Sequence, residues 1–419
     1  MYLISKKERS LKGEIKISGS KSESNRLLIL RAYSSFFKII NLSDSDDTKT
    51  MLSALKSEDE NIDISHAGTA MRFLTSYYSS IINSSKILTG SARMKQRPIS
   101  ILVDALNKLG ADIEYIENEG YPPIKLRGKL ITNNTVSLPA NVSSQYISSL
   151  MMLGISLKDG LKINLSTKMI SLPYIKMTKI LIERLGGKVV IQSNNIIIQP
   201  FLSQDISDQT VESDWSSVSY FYSLVALSNY SEITISTFFK KSIQGDSRIE
   251  NIYRQFGVET SFRDNKIYLK KNNVKLPDTI SINLEDNPDL AQTIIVTCLG
   301  LGIDCHLEGL QTLKIKETDR LLALKNEIKK FDVDFIEVSD QSITLRNTSK
   351  LKSGVTVDTY NDHRMAMSFA PLSLINPIII NNPEVVSKSY SNFWNDLKSV
   401  GFNISEKLLA NYLTFGVSE

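Results

Sequence analysis

The sequence predicts an α/β protein of six repeated units arranged in two domains of three units each. Three observations carry that prediction. A helix, a tight turn and a β-hairpin recur at intervals of roughly 70 residues. Short polar motifs carrying Lys, Arg or Ser repeatedly open apolar, helix-like runs. The chain has 419 residues, 42% of them apolar and 22% charged, which suits more than one ordinary globular core.

The elements can be justified in order. Residues 11–18 read as a short N-terminal strand, and Gly19-Ser20-Lys21-Ser22-Glu23-Ser24-Asn25-Arg26 then opens the apolar run 27–30. Residues 51–55 read as the helix of the earliest unit, with a shortened hairpin at 58–64. Ala67-Gly68-Thr69-Ala70-Met71-Arg72 opens the run 73–78. The helix 102–109 passes Gly110 into a strand at 111–115, and 124–126 returns. Ser143-Ser144-Gln145, a good N-cap cluster, opens the run 146–153. The next helix, 180–185, passes Gly186-Gly187 into 188–192, with 196–199 returning. Residues 252–256, Gly257, 258–262 and 267–269 repeat the pattern, as do 321–331, 333–338 and 343–345. A last helix, 397–400, passes Gly401 into 402–405. The helices show i, i+3, i+4 apolar spacing and the strands alternate.

Six units divide into two groups of three. Glu212-Ser213-Asp214-Trp215 lies between the third and fourth, so the chain is expected to cross there. The N-terminal strand can join the later group, which puts a second crossing near Gly19-Ser20. The expected domains are residues 19–213, and residues 1–18 together with 214–419.

Bulk properties exclude several classes. The net charge is only +4 and the charges are interspersed, unlike a protein that coats nucleic acid. Residues 1–16 are polar, so no signal peptide is expected, and no apolar stretch is long enough to span a bilayer. Cys298 and Cys305 are the only cysteines and read as reduced, buried thiols of a cytoplasmic protein. With three His and two Cys scattered along the chain, no zinc site is expected.

The motifs point to an anionic ligand. Helix N-termini present unpaired N–H groups and the positive end of the dipole. Arg is scarce beside Lys, yet Arg26, Arg72, Arg97, Arg320 and Arg364 all fall in motifs, where a planar guanidinium grips carboxylate or phosphate. Arg184, Arg254 and Arg263 read as surface charges. Taken singly, most motifs have a bland account: Asp289 a charge at a helix start, and Lys316-Glu317-Thr318-Asp319-Arg320 an exposed salt-bridge face. Tyr360-Asn361-Asp362-His363-Arg364 stands directly against a very apolar run, so some of its polar groups must face a cleft or one another.

In their order, these motifs resemble the 5-enolpyruvylshikimate-3-phosphate synthases of the enolpyruvyl transferase family. The matching stretches are GSKSESNR at 19–26, AGTAMR at 67–72, RMKQRPI at 93–99, SSQ at 143–145, SLPY at 171–174, DWSSVSYF at 214–221, SIQGD at 242–246, PD at 288–289, KETDR at 316–320, YNDHRMAM at 360–367 and SKS at 387–389. The resemblance implies two domains, each of three βαβαββ units, with the active site in the cleft between them. It implies transfer of the enolpyruvyl group of phosphoenolpyruvate to the 5-hydroxyl of shikimate 3-phosphate, by addition and then elimination of phosphate. That reaction involves no redox change and its phosphates can be met by the cations, so no cofactor and no metal are expected. With no spare apolar helix a monomer is expected, working on small molecules, with no nucleic-acid or membrane partner.

By the same resemblance, Lys21, Ser22, Arg26, Ser143, Ser144, Ser171, Tyr174, Asp289, Thr312 and Lys316 would bind shikimate 3-phosphate. Lys21, Gly68, Arg97, Gln145, Arg320, Arg364 and Lys388 would bind phosphoenolpyruvate. Lys21, Asp289 and Glu317 would handle protons. The chain departs from the family at His66 and Thr312, where Asn is frequent, at Phe73, where many members have Pro, and in the shortened hairpin. These departures bear on the phosphoenolpyruvate pocket and on glyphosate sensitivity. Two rivals share related folds. UDP-N-acetylglucosamine enolpyruvyl transferases commonly carry a Cys in the loop before the residue matching Arg97, but no Cys precedes Cys298 here. The RNA 3′-phosphate cyclases would ask for a more basic chain.

Overall fold

A computed structural model describes residues 1–34, 36–139, 143–167, 169, 171–201, 206–346 and 351–407. Within them the strands form five four-stranded sheets and one two-stranded sheet. The four-stranded sheets share one plan. Two strands pair in parallel around a buried crossover helix, and a second helix then leads into an antiparallel pair. That pair is a hairpin in four of the sheets and, in the fifth, Asn403–Glu406 against the N-terminal strand Tyr2–Ser5. Asn61–Asp63 pairs in parallel with Ser85–Thr89 around the helix Gly68–Ser80, and the hairpin Asp112–Tyr115 with Ile124–Arg127 completes that sheet. Thr135–Leu138 and Leu161–Leu165 flank Ser144–Gly154 in the same way. Ser10–Lys16 and Tyr230–Ser236 flank Trp215–Leu227, Thr279–Asn283 and Asp304–Glu308 flank Ala291–Leu301, and Thr356–Val357 and Ile378–Ile380 flank His363–Phe369.

Local chemistry sets these elements. A parallel pair needs a crossover, and a helix shielded on all sides must be apolar almost throughout. The helix Ala291–Leu301 is buried from Ala291 to Leu299. The hairpins need a reversal after their helix. Gly110 supplies it with a φ of 106°, a left-handed value that costs glycine little.

Three expectations need correction. Residues 58–64 are not a hairpin. Asn61–Asp63 is a single strand that begins the next sheet, because it pairs with Ser85–Thr89 and not with a neighbour in sequence. The earliest unit instead keeps only the pair Ile39–Ile40 with Gln209–Thr210. The polar N-terminus also holds a strand the pattern did not reveal, Tyr2–Ser5, which receives the C-terminal strand Asn403–Glu406.

Two clusters of buried apolar side chains result. One runs from Leu27 to Val211, and the other combines Ile4, Leu11, Ile15 and Ile17 with residues from Trp215 to Phe402. Gly19 and Ser213 form a bridge where the chain passes between them. A Cβ on Gly19 would collide with the Asn41 carbonyl, so only glycine fits this close approach. Cys298 and Cys305 are buried and unbridged. No helix among the described residues is long and apolar enough to cross a membrane.

Candidate active site

The crossover helices start where their leading strands end, and several of these N-termini converge on one cavity of about 360 Å³ between the two apolar clusters. All but one of the site residues expected from the sequence line it. The exception is Lys388, which stands behind Glu317 with its ammonium 2.9 Å from Oε1.

One wall belongs to the first cluster. Lys21 and Ser22 begin the helix Lys21–Tyr33, and Lys21 Nζ lies 3.1 Å from Asp47 Oδ2. One turn on, the Arg26 guanidinium donates to Thr178 Oγ1 at 2.7 Å, to the Ser22 carbonyl at 2.8 Å and to Ser148 Oγ at 3.1 Å. Gly68 opens the next crossover helix and packs against the Arg97 guanidinium. Ser143 caps the helix of Ser144 and Gln145, and Gln145 donates to Thr69 Oγ1 at 3.2 Å. Ser171 holds a left-handed φ of 52° immediately before the helix that carries Tyr174.

The opposite wall is a lattice of charge centred on Arg320, which is 2% exposed. Its Nε donates to Asp362 Oδ2 at 2.6 Å, its Nη1 to Asp289 Oδ1 at 2.8 Å and its Nη2 to Glu317 Oε2 at 2.8 Å. Asp289 also meets Arg364 at 3.3 Å and Lys316 at 3.7 Å. The Lys316–Arg320 motif is therefore not the exposed salt-bridge face of its bland reading. Its Glu317–Arg320 pair exists but is buried, because Glu317 precedes the helix Arg320–Lys329 and turns inward. Arg184 is likewise more than a surface charge, since it reaches the buried Glu23 at 3.5 Å.

Electrostatics fixes the charge states. Burial alone would raise the Asp289 carboxyl, but Arg364, Lys316 and Arg320 outweigh it and hold the group well below the usual carboxylate range. Burial likewise opposes Lys388, Arg320 and Arg97 at Glu317, and the cations win there too. Burial, with Lys21 and Arg364 nearby, keeps His363 neutral by pushing it well below its ordinary value. Burial lowers Arg72 to about 10, helped by Arg97.

The walls touch. Tyr174 donates to Asp289 Oδ2 at 3.4 Å, Arg93 to the Lys316 carbonyl at 3.1 Å, and Lys388 to the His66 carbonyl at 3.1 Å. Among the departures, His66 is exposed beside Ser91, Phe73 is fully buried, and Thr312 lines the cavity with a buried hydroxyl that has no partner among the described residues.

Sequence reasoning left several lining residues out of the site. Arg72 lay in a motif whose basic residue was noted, and its guanidinium donates to the Pro98 carbonyl at 3.0 Å. His363 sat inside another motif. Asp47 gave no signal, because Asp46-Asp47 looks like ordinary acid at a helix start. Among the described residues no group of three or more His, Cys, Asp or Glu side chains converges as a metal site. What the cavity offers is many cations, several helix N-termini and three carboxylates set among them, Asp47, Asp289 and Glu317. That suits two anionic molecules held side by side while protons move.

Comparison with known proteins agrees with this chemistry. The family model of EPSP synthase (3-phosphoshikimate 1-carboxyvinyltransferase) matches residues 5–57 and 56–397. A 3-phosphoshikimate 1-carboxyvinyltransferase of Bacteroides fragilis strain YCH46 is 44% identical over 406 residues, spanning 96% of this chain and 98% of its own. One from Colwellia psychrerythraea is 34% identical over 423 residues, covering 93% and 97%. The solved EPSP synthase of Acinetobacter baumannii superimposes with a TM-score of 0.76 over 97% of this chain and 99% of its own, at 18% identity. That last likeness speaks for the fold.

Proposed function

Because this chain belongs to the EPSP synthase family, we propose that its cavity is where phosphoenolpyruvate and shikimate 3-phosphate react. The activity is that of a 3-phosphoshikimate 1-carboxyvinyltransferase of the shikimate pathway. The observation that carries the site assignment is the pair Asp289 and Glu317, both held by Arg320 on the wall of a cation-lined cavity.

On this reading the substrate anions take over cations that now hold carboxylates. The phosphate and carboxylate of phosphoenolpyruvate engage Arg97, Arg320, Arg364, Lys388 and Lys21, with Gln145 and the N-terminus at Gly68. Shikimate 3-phosphate engages Ser22, Arg26, Ser143, Ser144, Ser171, Tyr174, Thr312 and Lys316. Arg320, Arg364, Lys316 and Lys388 are the cations that now pair with Asp289 or Glu317, and each one drawn to a substrate anion lets the proton affinity of those carboxylates rise. Glu317 can deliver a proton to C3 of phosphoenolpyruvate as the 5-hydroxyl oxygen bonds to C2. Asp289, assisted by Lys21, takes the hydroxyl proton. In the second half C3 returns its proton to Glu317, Asp289 passes the hydroxyl proton to the bridging phosphate oxygen as the bond from C2 to that oxygen breaks, and phosphate leaves. Holding both reactants turns a bimolecular step into a positioned one.

The same reading takes residues 19–213 as one domain and residues 1–18 with 214–419 as the other, each built from three βαβαββ units. The two apolar clusters and the Gly19–Ser213 bridge support it. It also takes the enzyme as a monomer, since every group invoked comes from one chain, and as cytoplasmic, in keeping with two unbridged thiols.

The test is phosphate release by the purified protein in buffer containing EDTA. Both substrates together should release phosphate, and either alone should not. Release that requires UDP-N-acetylglucosamine in place of shikimate 3-phosphate, or that needs an added divalent metal, would overturn the reading.

A further inference from the structure

Arg26 and Arg320 are both almost fully buried, at 2% exposure, yet they are compensated in opposite ways. Arg320 has three carboxylates. Arg26 has, among the described residues, no carboxylate in ion-pair contact. Its hydrogen-bond partners are the neutral oxygens of Thr178, Ser22 and Ser148. A buried cation without an anion is costly unless something else meets its charge. Here two aromatic rings do so. The guanidinium carbon lies 5.3 Å from the centre of the Phe73 ring and 5.8 Å from that of Tyr174. Even so, burial lowers Arg26 to about 10.

The two rings are not equivalent. The Tyr174 hydroxyl is tied to Asp289 across the cleft, so that ring answers to both walls. Phe73 is fully buried within the same apolar cluster as Arg26's own helix, and its ring has no polar handle. It is the fixed member of the pair.

Hydrogen-bond counting shows what the rings leave free. A guanidinium carries five N–H groups. The bonds to Thr178, Ser22 and Ser148 use one each on Nε, Nη1 and Nη2. One N–H remains on each terminal nitrogen, free to donate to an anion. Arg26 lines the cavity.

We propose that Phe73 is a positioning residue for shikimate 3-phosphate, holding the Arg26 guanidinium so that its two remaining N–H groups meet the substrate carboxylate. The inference rests on the reading that Arg26 binds shikimate 3-phosphate. Phe73 touches no reacting atom, so its effect belongs in the affinity for one substrate and not in turnover.

The test combines calorimetric titration of shikimate 3-phosphate with steady-state kinetics on four variants. Desolvated cation–π contact implies that Phe73→Leu weakens shikimate 3-phosphate binding roughly 3- to 30-fold, with kcat and the KM for phosphoenolpyruvate within about twofold of wild type. Phe73→Tyr keeps the ring and should restore affinity. Arg26→Gln should lose affinity by itself, and adding Phe73→Leu to it should cost nothing more. If Phe73→Leu does not fold, Phe73→Met, which keeps the volume without the ring, carries the same expectation. Unchanged affinity in Phe73→Leu, or the same loss with and without Arg26, would overturn the role of Phe73. Wild-type affinity in Arg26→Gln would instead remove the reading of Arg26 beneath it.

Discussion

Asp289 and Arg320 meet at 2.8 Å, and the same guanidinium holds Glu317 at the same distance. Both proposed proton carriers thus share one cation with the proposed phosphate grip. Arg320 cannot turn toward a substrate anion without loosening its hold on the carboxylates. On the proposed roles, the arrangement links the arrival of phosphoenolpyruvate to the proton affinity of the groups assigned to act on it.

That link requires Arg320 to have a fixed anchor, and Asp362 is the candidate. It is fully buried, accepts from Arg320 Nε at 2.6 Å, and caps the helix His363–Phe369 by accepting from the Arg364 N–H at 2.8 Å. Removing one partner of a buried ion pair typically costs about 3–5 kcal/mol. Asp362→Ala should therefore lose stability on that scale in denaturant unfolding and most of its activity as well. A midpoint unmoved from wild type would show that Arg320 does not depend on Asp362.

Gly68→Ala should act through Arg97. An added Cβ would lie 2.5 Å from Arg97 Nη1, so the guanidinium has to move. Arg97 is assigned to phosphoenolpyruvate, and a misplaced bidentate grip loses roughly 1.4 kcal/mol per tenfold in affinity. The KM for phosphoenolpyruvate should rise by about tenfold or more, while affinity for shikimate 3-phosphate holds. An equal rise for both substrates would contradict the division of the site.

Glu23 gives a pH effect on stability. Its Oε2 accepts the Glu212 N–H at 3.3 Å, and Arg184 lies 3.5 Å from Oε1. Burial pushes the carboxyl up to about 8, with Arg184 opposing and Glu212 adding to the rise. Unfolded, the group titrates near about 4.3. Between those values the folded chain binds the extra proton, so this group makes stability fall as pH rises from about 4 to 8. Glu23→Gln, a mimic of the protonated form, should gain melting temperature over wild type, more at pH 8 than at pH 5. A gain independent of pH would mean that Glu23 does not titrate in this window.

Much of this was legible in the sequence, for physical reasons. The crossover helices announce themselves because a polar block stands directly against an apolar run, as at Asp362-His363-Arg364 before Met365. The hairpins announce themselves through alternation after a glycine turn, as at Gly110. What stayed hidden depends on distant pairing. Asn61–Asp63 is too short to show a period, and its partner is Ser85–Thr89. The Ile39–Ile40 strand finds its partner, Gln209–Thr210, only on the far side of a long intervening segment.

The site divides the same way. Cations in motifs were legible, whereas their partners were not. Lys21 finds Asp47 26 residues away and Arg320 finds Asp362 at a separation of 42. Phe73, read from the sequence as a departure bearing on the phosphoenolpyruvate pocket, lies against Arg26 through the packing of two helices.

The division of proton work between Glu317 and Asp289 is best tested by isotope exchange. Wild type, Asp289→Asn and Glu317→Gln would each be mixed with both substrates in deuterium oxide, and deuterium at C3 of phosphoenolpyruvate followed by mass spectrometry. General acid–base groups contribute about 100- to 10,000-fold, so turnover should fall on that scale in both variants while both still bind substrates. Exchange should slow most in Glu317→Gln. Exchange at the wild-type rate in Glu317→Gln would contradict its role at carbon and leave Lys21 as the group that moves that proton.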